Sequence, residues 1–102
     1  MHKVVINNCF GGFDLSTEAL DYLEDKFGLQ VIRDRYGSYL EDNLERHDPR
    51  LVEVVEVLGE KASASCSRLV IEEVSSPVYR IEEYDGQESI ETPDSLDWIV
   101  IE

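Results

Sequence analysis

The order of apolar runs, helix signals and turn dipeptides in this chain predicts an α+β domain over residues 1–102, with a mostly antiparallel sheet of four to five strands and two to three helices packed on one face. Three observations carry that prediction. An apolar run within residues 3–8 breaks at Gly11-Gly12 and hands over directly to a helix start; two segments place apolar residues at helical spacing behind clear caps; and the last third alternates strand-like runs with turn dipeptides. The resulting order is strand, helix, a weak helix, helix, then four strands.

Each element has a local cause. Residues 3–8 hold the unbroken apolar run Val4-Val5-Ile6, which suits a strand buried on both faces and central in a sheet. Ser16 is a good N-cap, Glu18 and Asp21 place acids near the first turn, and Ala19, Leu20, Leu23 and Phe27 share one helical face until Gly28 stops the helix, giving Thr17–Phe27. Leu29, Val31 and Ile32 suggest a short strand and Tyr36-Gly37 a turn, after which Ser38 with Glu41 has the form of a capping box and predicts a short helix at 39–46. Asp48-Pro49 opens a second strong helix, because Asp accepts from free amides and Pro at the first position lacks only a donor the helix would leave unused. Leu51, Val54, Val55 and Leu58 face one way, Glu53, Glu56 and Glu60 the other, and the helix is expected to end near Lys61 to Ala62. Residues 68–74 read as a strand that Ser75-Ser76-Pro77 breaks, and residues 78–84 and 87–92 flank Asp85-Gly86, a dipeptide suited to a two-residue hairpin. A last apolar strand is expected at 98–101.

Charge narrows the function. Nine basic residues against 23 acidic give a net charge of -14. Direct binding to nucleic acid is disfavoured, since that affinity comes largely from Lys and Arg on phosphates, and an anionic membrane surface is disfavoured likewise. Residues 72–102 hold ten acids against the single base Arg80, so the last third is an acidic module. No run approaches a membrane span and the N-terminus does not read as a signal peptide, which sets a cytoplasmic expectation. Cys9 and Cys66 then read as free structural thiols, and with His2 and His47 they show no zinc-type spacing, so neither a metal nor a cofactor is expected.

The candidate sites follow from these features. A strand, glycine pair and helix start invite a phosphate-loop reading, but no Gly-Lys-Ser/Thr ending follows, and Asp14, Glu18 and Asp21 crowd the helix start with negative charge. Gly11 and Gly12 are better explained by backbone angles that a tight turn needs, with Phe10 and Phe13 as anchors. Arg33, Arg35, Arg46, His47 and Arg50 become the one plausible anion site if the fold gathers them on one side, although interleaved acids make internal ion pairing the simpler account. No acid, base and nucleophile stand at meaningful spacing, so no catalytic residue is assigned. Tyr79, Tyr84 and Trp98 lie in or beside the acidic strands, where aromatics among acids can make an interaction surface.

The blocks Val4-Val5-Ile6-Asn7-Asn8-Cys9-Phe10-Gly11-Gly12-Phe13-Asp14-Leu15-Ser16, Arg46-His47-Asp48-Pro49-Arg50-Leu51-Val52-Glu53-Val54-Val55-Glu56, Gly59-Glu60-Lys61-Ala62 and Tyr79-Arg80-Ile81-Glu82-Glu83-Tyr84-Asp85-Gly86 resemble a group of short, uncharacterised bacteriophage and prophage proteins. The resemblance spans nearly the whole chain and brings no catalytic residues. It implies a phage-encoded protein acting inside a bacterial cell.

Two functions are expected from different classes. The first is a small acidic accessory protein, as a monomer or a homodimer, that binds and modulates, most simply by inhibition, a basic host or phage protein such as a nucleic-acid-binding or defence protein; its partner-binding residues would be Glu72, Glu82, Glu83, Tyr84, Asp85 and Glu88. The alternative is a binder of a nucleotide or signalling metabolite, with Asn7, Asn8, Phe10, Gly11, Gly12, Arg46, His47 and Arg50 around the ligand.

Overall fold

The computed structural model describes residues 2–35 and 37–93. The strand expected at 98–101, with Trp98, lies outside the described residues. Six strands and two α-helices follow in the order β1 (His2–Asn7), α1 (Thr17–Phe27), β2 (Val31–Asp34), β3 (Gly37–Leu40), α2 (Pro49–Leu58), a 3-10 turn (Gly59–Ala62), β4 (Leu69–Val74), β5 (Arg80–Tyr84) and β6 (Gln87–Glu91). The α+β class is as the sequence predicts, but the single sheet is not: among the described residues the strands form three antiparallel pairs, β1 with β4, β2 with β3 and β5 with β6.

The two helices form where the sequence places them. Ser16 caps α1 by accepting from the Ala19 amide, and Gly28 ends it in the left-handed region at φ 68, donating back to Glu24 and Leu23. Asp48 caps α2 by accepting from the Arg50 amide with Pro49 just behind it. The helical path reaches Ala62 as expected, with its last four residues wound as a 3-10 turn.

The helix predicted at 39–46 is not formed. Gly37, at φ 137, opens β3 instead, and Val31 lies across from Leu40 and Ile32 from Tyr39. Branched and aromatic cross-strand pairs of this kind stabilise a hairpin and outweigh the Ser38–Glu41 cap signal. Residues 41–48 then run without regular structure into α2.

β1 organises the core, as its continuous apolar run requires. Val4, Val5, Ile6 and Asn7 are all buried. Val5 faces one way, into a cluster with Leu23, Leu51, Val54 and Leu69 under the helices. Val4 and Ile6 face the other way, against Val74, Val70, Ile81 and Ile90, so the β5–β6 hairpin covers the face of β1–β4 that the helices leave bare. The molecule is therefore layered as helices, ribbon and hairpin, where helices on one face of a single sheet were expected. One sheet does not form because the second edge of β1 is occupied by other groups. The Val5 amide donates to the carbonyl of Arg46, and the Asn7 amide donates to the Glu88 carboxylate.

Candidate interaction surface

The β5–β6 hairpin turns on Asp85 at φ 52 and Gly86 at φ 89, both in the left-handed region that a two-residue primed turn needs. Register pairs Tyr84 with Gln87, Glu83 with Glu88 and Ile81 with Ile90. The turn does not stand free. Gly86 is buried, and a Cβ there would meet the backbone nitrogen of Gly12 at 2.5 Å and that of Gly11 at 2.7 Å. A Cβ on Gly11 would in turn lie 1.9 Å from the Cys66 carbonyl oxygen. Three backbone turns thus meet where only glycine allows them to.

Asn7 ties this joint together. It is fully buried, its Nδ2 donates to the carbonyls of Cys9 and Gly86 at 2.8 Å each, and its Oδ1 accepts from the Arg68 amide at 2.7 Å. Both Nδ2 protons and the Oδ1 oxygen are engaged by the protein's own backbone, so Asn7 serves the structure and not a ligand. Asn8 accepts through Oδ1 from Gln87 Nε2 at 3.1 Å, adding a second link between the opening turn and the hairpin.

Glu88, expected among the partner-facing carboxylates, is an internal group. Its side chain is 7% exposed, takes a two-pronged pair from the Arg46 guanidinium, with Nη2 at 2.8 Å, and accepts from the Asn7 amide at 2.8 Å. The Arg46 guanidinium also lies 3.7 Å from the centre of the Phe13 ring and donates to the Val5 carbonyl. Planar stacking and a forked donor suit arginine to this position better than lysine. The inward placement of Glu88 was legible in principle: with the turn fixed at Asp85-Gly86, Glu88 shares the inner face with Ile90. What the sequence did not show is that Arg46 would be its partner.

Two more members of the expected anion site are also engaged. Arg50 is held by Asp48 through Nε at 3.0 Å and Nη2 at 2.9 Å, which keeps the Asp48 carboxyl below its ordinary value and raises the guanidinium. His47 Nδ1 shares a hydrogen bond of 2.7 Å with the Tyr79 hydroxyl, with the two rings edge to face. Burial first, and then Glu45, push the Tyr79 hydroxyl above the usual phenol value. A 480 Å³ groove lies beside this segment, lined by Phe13, Asp14, Leu40, Asp42, Glu45 and Arg46 among others, but of the residues expected around the alternative ligand it takes only Arg46. Its acids oppose a phosphate.

The outward side of the hairpin is different in kind. Tyr84 is 80% exposed and Phe10, on the opening turn, is 63% exposed, so two aromatic rings stand free near the glycine joint. Glu82 shares the face of Tyr84, Glu83 lies across from Glu88, and both are exposed, as is Asp85 at the turn; Glu82, Glu83 and Tyr84 line an open 470 Å³ recess with Gln87, Glu88 and Ser89. The one base nearby, Arg80, is shared between Glu91 at 2.6 Å and Glu82 at 3.2 Å, which raises its pKa. Among the described residues Glu83 and Asp85 have no ion-pair partner. Glu72 is exposed on β4, across from Val4, in a different strand pair from the other carboxylates. No group of three or more metal-type ligands occurs among the described residues, and no described helix is long and apolar enough to cross a membrane.

Comparison with known protein families, curated proteins and solved structures finds no match.

Proposed function

We propose that this protein is a non-enzymatic, phage-type accessory protein that binds and modulates a basic partner protein through the outer side and tip of the β5–β6 hairpin. The observation that carries the reading is Tyr84, 80% exposed on a rigidly seated hairpin, with Glu82 on its face and Glu83 and Asp85 next to it in the chain. An exposed aromatic ring supplies contact area with little ordering entropy, and the neighbouring carboxylates select a basic surface and speed its approach. A surface that normally holds nucleic acid has that chemistry, and occupying it would inhibit its owner. Because Gly86 is pinned against Gly11 and Gly12, the hairpin is presented without a further ordering cost.

The test is affinity capture from phage-infected bacterial lysate with the native chain and with a variant carrying Glu82→Lys, Glu83→Lys and Tyr84→Ala. Asp85 is changed to Asn in that variant, since Asn tolerates its positive φ and lysine does not. The native chain retains a basic protein that elutes as salt rises, and the folded variant does not. Equal retention by both chains would sink the reading.

The 480 Å³ groove favours a second reading, a small neutral or cationic ligand held between Phe13, β3 and residues 42–46. Stabilisation follows RT ln(1 + [L]/Kd), so a thermal-shift screen separates a cationic ligand from nucleotides, which the groove's acids should refuse.

A further inference from the structure

Cys9 and Cys66 are 57 positions apart, yet the opening turn lays Cys9 Sγ 3.7 Å from the Cys66 carbonyl oxygen. The same approach presses Gly11 onto Cys66, where an added Cβ would come within 3.1 Å of the Cys66 Cβ. Both thiols are free, Cys66 is exposed, Cys9 is partly so, and Ser65 Oγ lies 3.9 Å from the Cys66 sulfur. The geometry points to a thiol pair that closes into an intramolecular Cys9–Cys66 disulfide when a low-molecular-weight disulfide is present.

The reason is reach. The Cys66 Cβ stands two bonds from the carbonyl carbon whose oxygen Cys9 Sγ already touches, and a disulfide needs Cβ atoms roughly 3.5–4.5 Å apart. Side-chain rotation, with a small shift of the two surface turns, supplies the remainder. Both turns lie outside the strands, so no ladder hydrogen bond has to break.

The chemistry balances with glutathione disulfide as the oxidant. The deprotonated Cys66 sulfur attacks one sulfur of the glutathione disulfide and expels a first glutathione thiolate, leaving a mixed disulfide on Cys66. The deprotonated Cys9 sulfur then attacks Cys66 Sγ and expels a second. The two protons lost by the cysteines end on the two glutathiones, and the electron pair that the cysteines give up reduces the glutathione disulfide. The product staples the turn after β1 to the turn before β4, directly beneath the seat of Gly86.

The experiment is equilibration of the full chain with glutathione disulfide, acid quenching, alkylation and intact mass. The expected product has lost two hydrogens, resists alkylation, and on tryptic digestion yields residues 4–26 joined to residues 62–68. Closing a loop of this length should raise Tm by about 5 °C or more, and reduction should reverse the rise. Cys66→Ser should stop at a single glutathione on Cys9 and show no rise. A native chain that ends with one or two bound glutathiones, or as a disulfide-linked dimer, overturns the proposal. So does an internal disulfide that lowers Tm, because the pair would then be strained apart by the fold. None of these outcomes depends on the hairpin binding a partner.

Discussion

Replacing Glu88 with Ala tests whether the last third of this chain is an acidic surface module or part of the scaffold. The substitution leaves the Asn7 amide, at a fully buried residue, without its acceptor, which costs about 1–3 kcal/mol. It also leaves Arg46 without its forked partner. Removing one member of a buried pair costs about 3–5 kcal/mol, but the Arg46 side chain is 24% exposed, can take up water, and keeps the Phe13 ring. After that discount we expect a total loss of about 3 kcal/mol, or a fall in Tm of about 15 °C for a domain of this size. Urea unfolding followed by circular dichroism measures it. A double-mutant cycle with Arg46→Met should return a coupling of about 2 kcal/mol, since each residue satisfies the other. A loss below about 0.5 kcal/mol with coupling near zero would refute the reasoning and return Glu88 to the binding surface.

Other perturbations probe separate parts. Gly11→Ala drives a Cβ into the Cys66 carbonyl and should cost about 3 kcal/mol or more, whereas Gly12→Ala meets open space and should cost only about 1 kcal/mol for its φ of 97; chemical denaturation of both, giving equal losses, would dissolve the three-turn joint. Asp48→Ala removes the α2 cap and should cost about 1 kcal/mol at neutral pH. Because Arg50 depresses the Asp48 carboxyl below its ordinary 3.8, the charged form is favoured by folding, so this contribution is full above that value and is lost as pH falls through the depressed one. The stability gap between native chain and Asp48→Ala should therefore shrink as pH falls below 3.8, as acid titrations of both would register.

The two helices and the hairpin turn were legible because each rests on a local code: Ser16 and Gly28 bracket α1, Asp48-Pro49 opens α2, and Asp85-Gly86 bends the hairpin. Residues 29–47 failed that reading because two local codes conflict there. Ser38 and Glu41 spell a cap, while Val31, Ile32, Tyr39 and Leu40 spell a hairpin, and only cross-strand packing decides between them. The candidate site divides in the same way. Exposure of Tyr84 among carboxylates follows from alternation along β5, but the withdrawal of Arg46, Asn7 and Glu88 from the surface depends on residues 81 positions apart in the extreme case. No periodicity within a window can show that.

The pairing of β1 with β4 also sets an order in time. As the chain emerges during synthesis, its first strand, with Val4, Val5 and Ile6, has no partner until residues 69–74 follow, and the joint at Gly86 closes later still. The helical pair α1–α2, with contacts closer along the chain, is able to form first and shelter Val5, while Val4 and Ile6 wait for the hairpin. Changes at the glycine joint should accordingly speed unfolding far more than they slow folding. The risk of misassociation in this protein is therefore concentrated in the interval between the making of its first strand and of its last hairpin.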